Sequence, residues 1–139
     1  PLQIDVARLT GASMVLLLVR AHPLPALERM VAHAHAAGIA PVVEAADEAE
    51  LDVALRTDAT IVGVNARDLR TFRIDAAMAA RCMAKIPHHR VAVFMSGVRA
   101  PADVARVAET RADAVLVGEG LMRAPSPGAK LGELRGGLS

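Results

Sequence analysis

The run Thr60-Ile61-Val62-Gly63-Val64 is short, apolar and β-branched, and it breaks at once into Asn65, Ala66, Arg67, Asp68 and Leu69. β-Branched residues at successive positions describe a strand buried on both faces, the condition of a parallel sheet covered by helices. Open parallel sheets and (β/α)8 barrels place their ligand sites at the carboxyl ends of such strands. A polar strand-to-loop transition also caps sheets that bind nothing. The other strand ends of the chain therefore decide what this one means.

Taken in order, the chain alternates. Leu2, Val6 and Leu9 fall on one face of a helix over 1–11, stopped by Gly11. A strand over 13–19 ends at Arg20. Pro23 opens a helix whose face is Leu24, Leu27, Val31 and Ala34, with Gly38 as its stop. A strand over 40–44 ends in Glu44, and Asp47 with Glu50 forms a capping-box variant ahead of a helix through Leu51, Ala54 and Leu55. The strand over 59–64 follows, then a helix over 75–85 capped by Asp75, and a strand over 90–95 running into Ser96-Gly97. Pro101 and Asp103 start the next helix, with Val104, Val107 and Ala108 on its face. The last strand, over 113–117, ends in Gly118-Glu119-Gly120. A helical turn at Leu121-Met122 and a helix over 129–134 complete the pattern, and Gly136-Gly137 is expected to fray.

Strict strand–helix alternation means one parallel sheet covered by helices. Five strands in 139 residues suit a single domain in either of two forms. One is a partial (β/α)8 TIM barrel, the complete fold normally needing about 250 residues. The other is a five-stranded, doubly wound, flavodoxin-like sheet. Periodicity alone leaves both open.

Composition excludes several function classes. The chain has no Trp and no Tyr, and Phe72 and Phe94 are its only aromatic residues, so its core is aliphatic. A formal net charge of +1 provides no basic face for nucleic acid. Cys82 stands alone, which rules out an intrachain disulfide and fits a reducing compartment. The apolar run 14–19 is too short to span a bilayer, and no charged segment followed by a cleavage site opens the chain. A cytoplasmic α/β protein without membrane or nucleic-acid partners is the expectation.

Four strand ends carry chemistry: Glu44, Asn65 with Arg67, Ser96-Gly97, and Gly118-Glu119-Gly120. The two glycine-bearing ends are consecutive in the chain, and glycine lets backbone N–H groups approach a ligand closely. In a (β/α)8 barrel the last two strand ends form the usual phosphate site. Glu119 fits an anion site only if its carboxylate points outward and its backbone amide does the binding.

Val43-Glu44, the stretch Gly63-Val64-Asn65-Ala66-Arg67-Asp68-Leu69, Ser96-Gly97-Val98 and the stretch from Asp113 to Leu121 occur in order and at matching intervals. Together they resemble the C-terminal portion of the indole-3-glycerol-phosphate synthase family, strands four to eight of a (β/α)8 barrel. The Asn-x-Arg-Asp-Leu signature is the specific part of that resemblance. It implies decarboxylating ring closure on a phosphorylated anthranilate-ribulose substrate in tryptophan biosynthesis, with no cofactor. By match of motif, Glu44 resembles the base, and Asn65 and Arg67 the pair that orients the anthranilate end. Ser96, Gly97, Gly118, Glu119 and Gly120 resemble the phosphate cradle.

Two departures bear on activity. The family carries a Glu before Ser-Gly where this chain has Met95. The family's catalytic lysines belong to strands one and three, and Lys85 and Lys130, the only lysines here, fall on helices. Three function classes follow: an enzyme completed by an N-terminal half, a binding module with an anion site and no turnover, and a self-associating half-barrel. An incomplete barrel leaves its first and last strands without partners, so a homo-oligomer or a complementing N-terminal half is expected.

The remaining signals are weaker. His33 and His35 lie two apart on a helix and face different ways, and His88-His89 sit in a loop without nearby carboxylates, so no metal site is expected. Arg20 either faces the site or is solvated. Cys82, among Met78, Ala79 and Met83, is expected to pack in the core.

Overall fold

The computed structural model describes residues 1–68 and 71–138. Helix α1 (Leu2–Leu9) precedes β1 (Met14–Leu18), then α2 (Leu24–Ala36), β2 (Ala40–Ala45), α3 (Glu48–Ala54) and β3 (Ile61–Asn65). Next come α4 (Ala76–Lys85), β4 (Val91–Met95), α5 (Pro101–Ala108), β5 (Ala114–Leu116), the short α6 (Glu119–Met122) and α7 (Pro127–Arg135). Local chemistry sets the helix starts. Asp47 accepts from the Glu50 amide at 2.8 Å and Asp75 from the Met78 amide at 2.8 Å. Asp103 Oδ2 accepts the amides of Arg99 and Ala100 ahead of α5. Each such cap contributes about 1 kcal/mol. Leu69, the last residue of the Asn-x-Arg-Asp-Leu signature, lies outside the described residues.

All five strands are parallel and lie in the order β1-β2-β3-β4-β5. A doubly wound sheet requires the strand order to reverse at a switch point. Sequential order has no such point, so the flavodoxin-like alternative is excluded and the sheet is a segment of a (β/α) barrel. Alternate strand positions divide the sheet into two faces. Leu17, Val43, Ala45, Val62, Val64, Ala92 and Phe94 join Leu27, Val31, Leu51, Ala79, Met83 and Val104 from the helices in one aliphatic core. Leu27 and Leu51 are fully buried, each stabilising the fold by about 1.5–3 kcal/mol. Cys82 is buried in the same core, as expected from its neighbours. The intervening positions, Glu44, Gly63, Asn65 and Met95, lie on the opposite face, which would be the interior of a closed barrel.

Sequence and structure differ on α1, where the expected face of Leu2, Val6 and Leu9 is exposed and Ile4 is the buried residue, and at the ends of elements. The first strand stops at Leu18, and Val19–Ala21 turns into a 3-10 segment. The last strand is reduced to Ala114–Leu116. The tail is docked rather than frayed: Gly136–Leu138 forms a 3-10 turn against α5. The approach is so close that a Cβ on Gly137 would fall 2.2 Å from the Pro101 carbonyl oxygen. β1 and β5 are the two edges, and Met14, Leu16 and Leu116 are exposed there. No described helix is long and apolar enough to cross a membrane.

Candidate functional site at the carboxyl ends of the strands

The site begins with two polar side chains that the sheet buries. Glu44 ends β2 and Asn65 ends β3, each only 7% exposed. Asn65 Nδ2 donates to Glu44 Oε1 at 3.1 Å, and Asn65 Oδ1 accepts the Arg67 amide at 3.0 Å. Both ends of one amide are thus used, one to hold a carboxylate and one to turn the chain. The turn is fixed further by the Ala66 amide donating to the Met95 carbonyl and the Asp75 amide donating to the Ala66 carbonyl. Arg67 also bridges Ile74 in antiparallel fashion, so its backbone is held on both sides.

β4 ends in a conformation that few sequences adopt. Ser96 has φ of 69° and Gly97 has φ of 81°. A left-handed non-glycine residue is uncommon and concentrates at functional turns. Gly97 is required twice over, since a Cβ there would also lie 2.9 Å from Ile74 Cγ2. Just before this turn, Met95 is 4% exposed and lies across Gly63.

β5 leads into Gly118, which caps α6. Leu121 and Met122 both donate to the Gly118 carbonyl. Among the described residues the amides of Glu119 and Gly120 have no backbone acceptor, as in the first turn of any helix. Gly120 packs close to the Val98 carbonyl, which a Cβ would approach to 3.4 Å.

These strand ends surround one cavity of about 340 Å³. Glu44, Asn65, Arg67, Ser96, Gly97, Gly118, Glu119 and Gly120 all line it, so the structure brings together every site residue expected from the sequence. The condition set for Glu119 at an anion site is not met. The Glu119 carboxylate does not point outward: Arg67 Nη2 donates to its Oε2 at 2.9 Å, and Arg123 Nε lies 3.3 Å from its Oε1. An uncompensated guanidinium on the wall draws the nearest carboxylate inward.

Sequence reasoning missed Arg99. It lines the same cavity, its backbone amide is fixed by Asp103, and its exposed guanidinium has no partner among the described residues. The available signal was its place two residues beyond Gly97, on the loop that leaves β4. The cavity wall therefore carries two guanidiniums, Arg67 and Arg99, and two carboxylates, Glu44 and Glu119.

The remaining candidates lie elsewhere. Arg20 Nε donates to Glu50 Oε1 at 3.1 Å and lines a separate polar cleft beside the β2 and β3 loops. His33 Nε2 pairs with Asp5 Oδ1 at 2.6 Å, joining α1 to α2. Lys85 bonds Glu48, which holds the ammonium above its ordinary pKa, and Lys130 pairs with Glu133. Neither lysine reaches the cavity. Among the described residues no three His, Cys, Asp or Glu side chains gather as a metal site would require.

Comparison with known proteins bears on both fold and site. A profile of the indole-3-glycerol phosphate synthase family matches residues 1–134. The indole-3-glycerol phosphate synthase of Aromatoleum aromaticum is 46% identical over 136 residues, covering 98% of this chain and 52% of that protein. Indole-3-glycerol phosphate synthase 1 of Streptomyces coelicolor is 42% identical over 132 residues, covering 95% of this chain and 49% of that protein. The chain spans about half the length of the curated relatives it matches. Among solved structures, 3-hexulose-6-phosphate synthase from Salmonella typhimurium superposes with a TM-score of 0.81 at 18% identity, over 99% of this chain and 66% of that one. Thiamine phosphate pyrophosphorylase from Pyrococcus furiosus gives 0.75 at 17% identity, over 97% and 63%. These two likenesses establish the barrel fold and nothing about substrate.

Proposed function

Because the chain belongs to the indole-3-glycerol phosphate synthase family, we propose that its cavity is the C-terminal part of a site that closes an indole ring on a phosphorylated anthranilate-ribulose substrate, with loss of carbon dioxide and water. The observation that carries the reading is the Asn65 amide, which holds Glu44 at one end and the Arg67 backbone at the other. With Oε1 held by Asn65, Glu44 Oε2 is left to take up the ring proton as general base. The planar guanidinium of Arg67 suits the carboxylate of the anthranilate end, which it orients. The left-handed Ser96-Gly97 turn and the Gly118-Glu119-Gly120 turn border the other side of the cavity, where glycine admits a phosphate to the backbone amides once the Glu119 carboxylate, held on Arg67 in this structure, is turned away. Arg99 adds positive charge at that rim.

The acid that such a reaction needs at the carbonyl and the departing hydroxyl is not supplied by this cavity. Lys85 and Lys130 are engaged on helices remote from it. The isolated chain, a single partial-barrel domain, is therefore proposed to be inactive, and its open β1 and β5 edges to pair with a complementing N-terminal half or with a second copy. A cytoplasmic location goes with the same reading. The test is a product assay with and without a polypeptide carrying the first three βα units of a relative. Product only from the mixture is the expected result. Turnover by the 139-residue chain alone would overturn it.

Met95 favours a second reading. Its thioether occupies the cavity wall beside Asn65, its neighbour in register, and a thioether can neither exchange a proton nor order a polar substrate. A module that binds a phosphorylated ligand without turnover would show phosphate-induced stabilisation and no product even with the complementing half.

A further inference from the structure

We propose that Glu119 is an internal counter-ion that occupies Arg67 until a ligand carboxylate displaces it, and that Arg123 retains the released side chain. The proposal rests on the reading of Arg67 as the holder of a ligand carboxylate, and it adds the competitor that the ligand must remove.

Glu119 uses both of its oxygens, one on each arginine. Oε2 accepts from Arg67 Nη2 at 2.9 Å, and Oε1 lies 3.3 Å from Arg123 Nε. The two arginines differ in kind. The Arg67 side chain is 21% exposed on the cavity wall and its backbone is fixed by Asn65 and Ile74. The Arg123 side chain is 81% exposed and stands four residues after Glu119, at the C-cap of α6. Arg67 is thus the fixed partner on the wall and Arg123 the solvent-exposed one. Rotation of the Glu119 side chain about its own bonds breaks the first pair and keeps the second.

The exchange is nearly balanced in energy. Arg67 trades one carboxylate for another, Glu119 stays paired on an exposed arginine, and no charge is left buried and alone. The balance of charge on the cavity wall changes more. With Glu119 on Arg67, two guanidiniums face two carboxylates; with Glu119 withdrawn, positive charge prevails and an anion is favoured. In the empty site the same pair keeps Arg67 oriented, which reduces the ordering cost of binding.

The probe is anthranilate, titrated into the 139-residue chain and its variants by calorimetry or amide NMR, with inorganic phosphate titrated separately. Glu119→Gln should bind anthranilate about fivefold more tightly, the strength of a good, partly exposed ion pair. Arg123→Ala should weaken anthranilate binding roughly twofold when Glu119 is present and leave it unchanged in the Glu119→Gln background, the signature of coupled sites. Phosphate affinity should be the same in Arg123→Ala as in the unaltered chain. Unchanged or weaker anthranilate binding by Glu119→Gln, or an Arg123→Ala effect that persists without Glu119, would overturn the counter-ion. Arg67→Ala distinguishes the two levels of the argument. If it binds anthranilate as well as the unaltered chain, the assignment of Arg67 itself fails. If binding needs Arg67 but ignores Glu119, only the counter-ion fails.

Discussion

Met95 lies across Gly63: a Cβ at position 63 would fall 2.3 Å from Met95 Cε and 2.9 Å from Sδ. The two residues sit on adjacent strands on the cavity side of the sheet, and the missing side chain on β3 is the space the thioether fills. Gly63→Val should therefore cost about 1–3 kcal/mol by overpacking. In a Met95→Ala background the same substitution should cost less, because the atoms it meets belong to a removable side chain. Urea unfolding of the two single variants and the double variant measures that coupling, and strict additivity would contradict the contact.

The Glu44–Asn65 pair predicts a pH-dependent variant. Asn65→Asp replaces a donor with a second carboxylate 3.1 Å from Glu44 Oε1. Two buried carboxylates at that distance cannot both stay ionised, so the folded variant takes up a proton more readily than its unfolded chain. The variant should lose about 1–3 kcal/mol at neutral pH and regain part of it on acidification. Thermal melts across pH 4–8, a window of roughly the usual stability plateau, would show the variant gaining stability on acidification where the unaltered chain does not.

Asp103 and Asp113 each contribute to the acid sensitivity of the unaltered fold. The amide of Arg99, then that of Ala100, and Arg106 hold the Asp103 carboxyl below its ordinary pKa. The amide of Ala92 and the guanidinium of Arg111 do the same for Asp113. With the folded pKa depressed, the unfolded chain binds more protons in that window. Their stabilisation is present above the ordinary aspartate range and is lost as pH falls through the depressed folded values. Asp113→Asn should flatten that part of the acid-denaturation curve, and an unchanged curve would exclude its contribution.

Gly97 tests the proposed phosphate turn. Gly97→Ala meets both a φ of 81° and Ile74 at 2.9 Å, and the left-handed backbone alone costs roughly 1–2 kcal/mol for a residue with a Cβ. Gly118→Val has no neighbour within 4 Å of the new Cβ, so it should leave the fold nearly intact while blocking approach to the amides. Phosphate at millimolar concentration should raise the melting temperature of the unaltered chain but not of Gly118→Val. Equal stabilisation of both would place the anion elsewhere.

Catalysis by Glu44 is tested in the complemented assembly. Glu44→Gln keeps an acceptor for Asn65 Nδ2 and removes the base, so product formation should fall about 10²–10⁴-fold with the fold unchanged by circular dichroism. A fall smaller than tenfold would assign the proton to another group.

Much of this was legible along the chain because it depends on neighbours in sequence. Caps at Asp47 and Asp75, the core faces of Leu27 with Val31 and of Val104 with Val107, and the polar ends of β2 to β5 follow from periodicity and side-chain chemistry a few residues apart. The strands themselves were expected from their short apolar runs, and their gathering at one mouth from the fact that parallel strands all end on the same side. Element ends were less legible: β5 covers only Ala114–Leu116 of the expected 113–117, because where a strand stops depends on pairing with its neighbour in space.

Sequence by itself thus determined the parallel α/β class and the set of strand ends that line the cavity. Periodicity left a barrel segment and a doubly wound sheet open, the resemblance of the strand ends pointed to the barrel, and the tertiary structure settled it by the sequential strand order. It also decided that Glu119 turns inward onto Arg67, 52 positions away, that the Arg99 guanidinium has no partner among the described residues at the rim, and that Met95 covers Gly63. The physical reason is common to all of these. Strand order and charge pairing depend on distances through space between segments that are remote along the chain, and a pattern of period two or 3.6 contains no such distances.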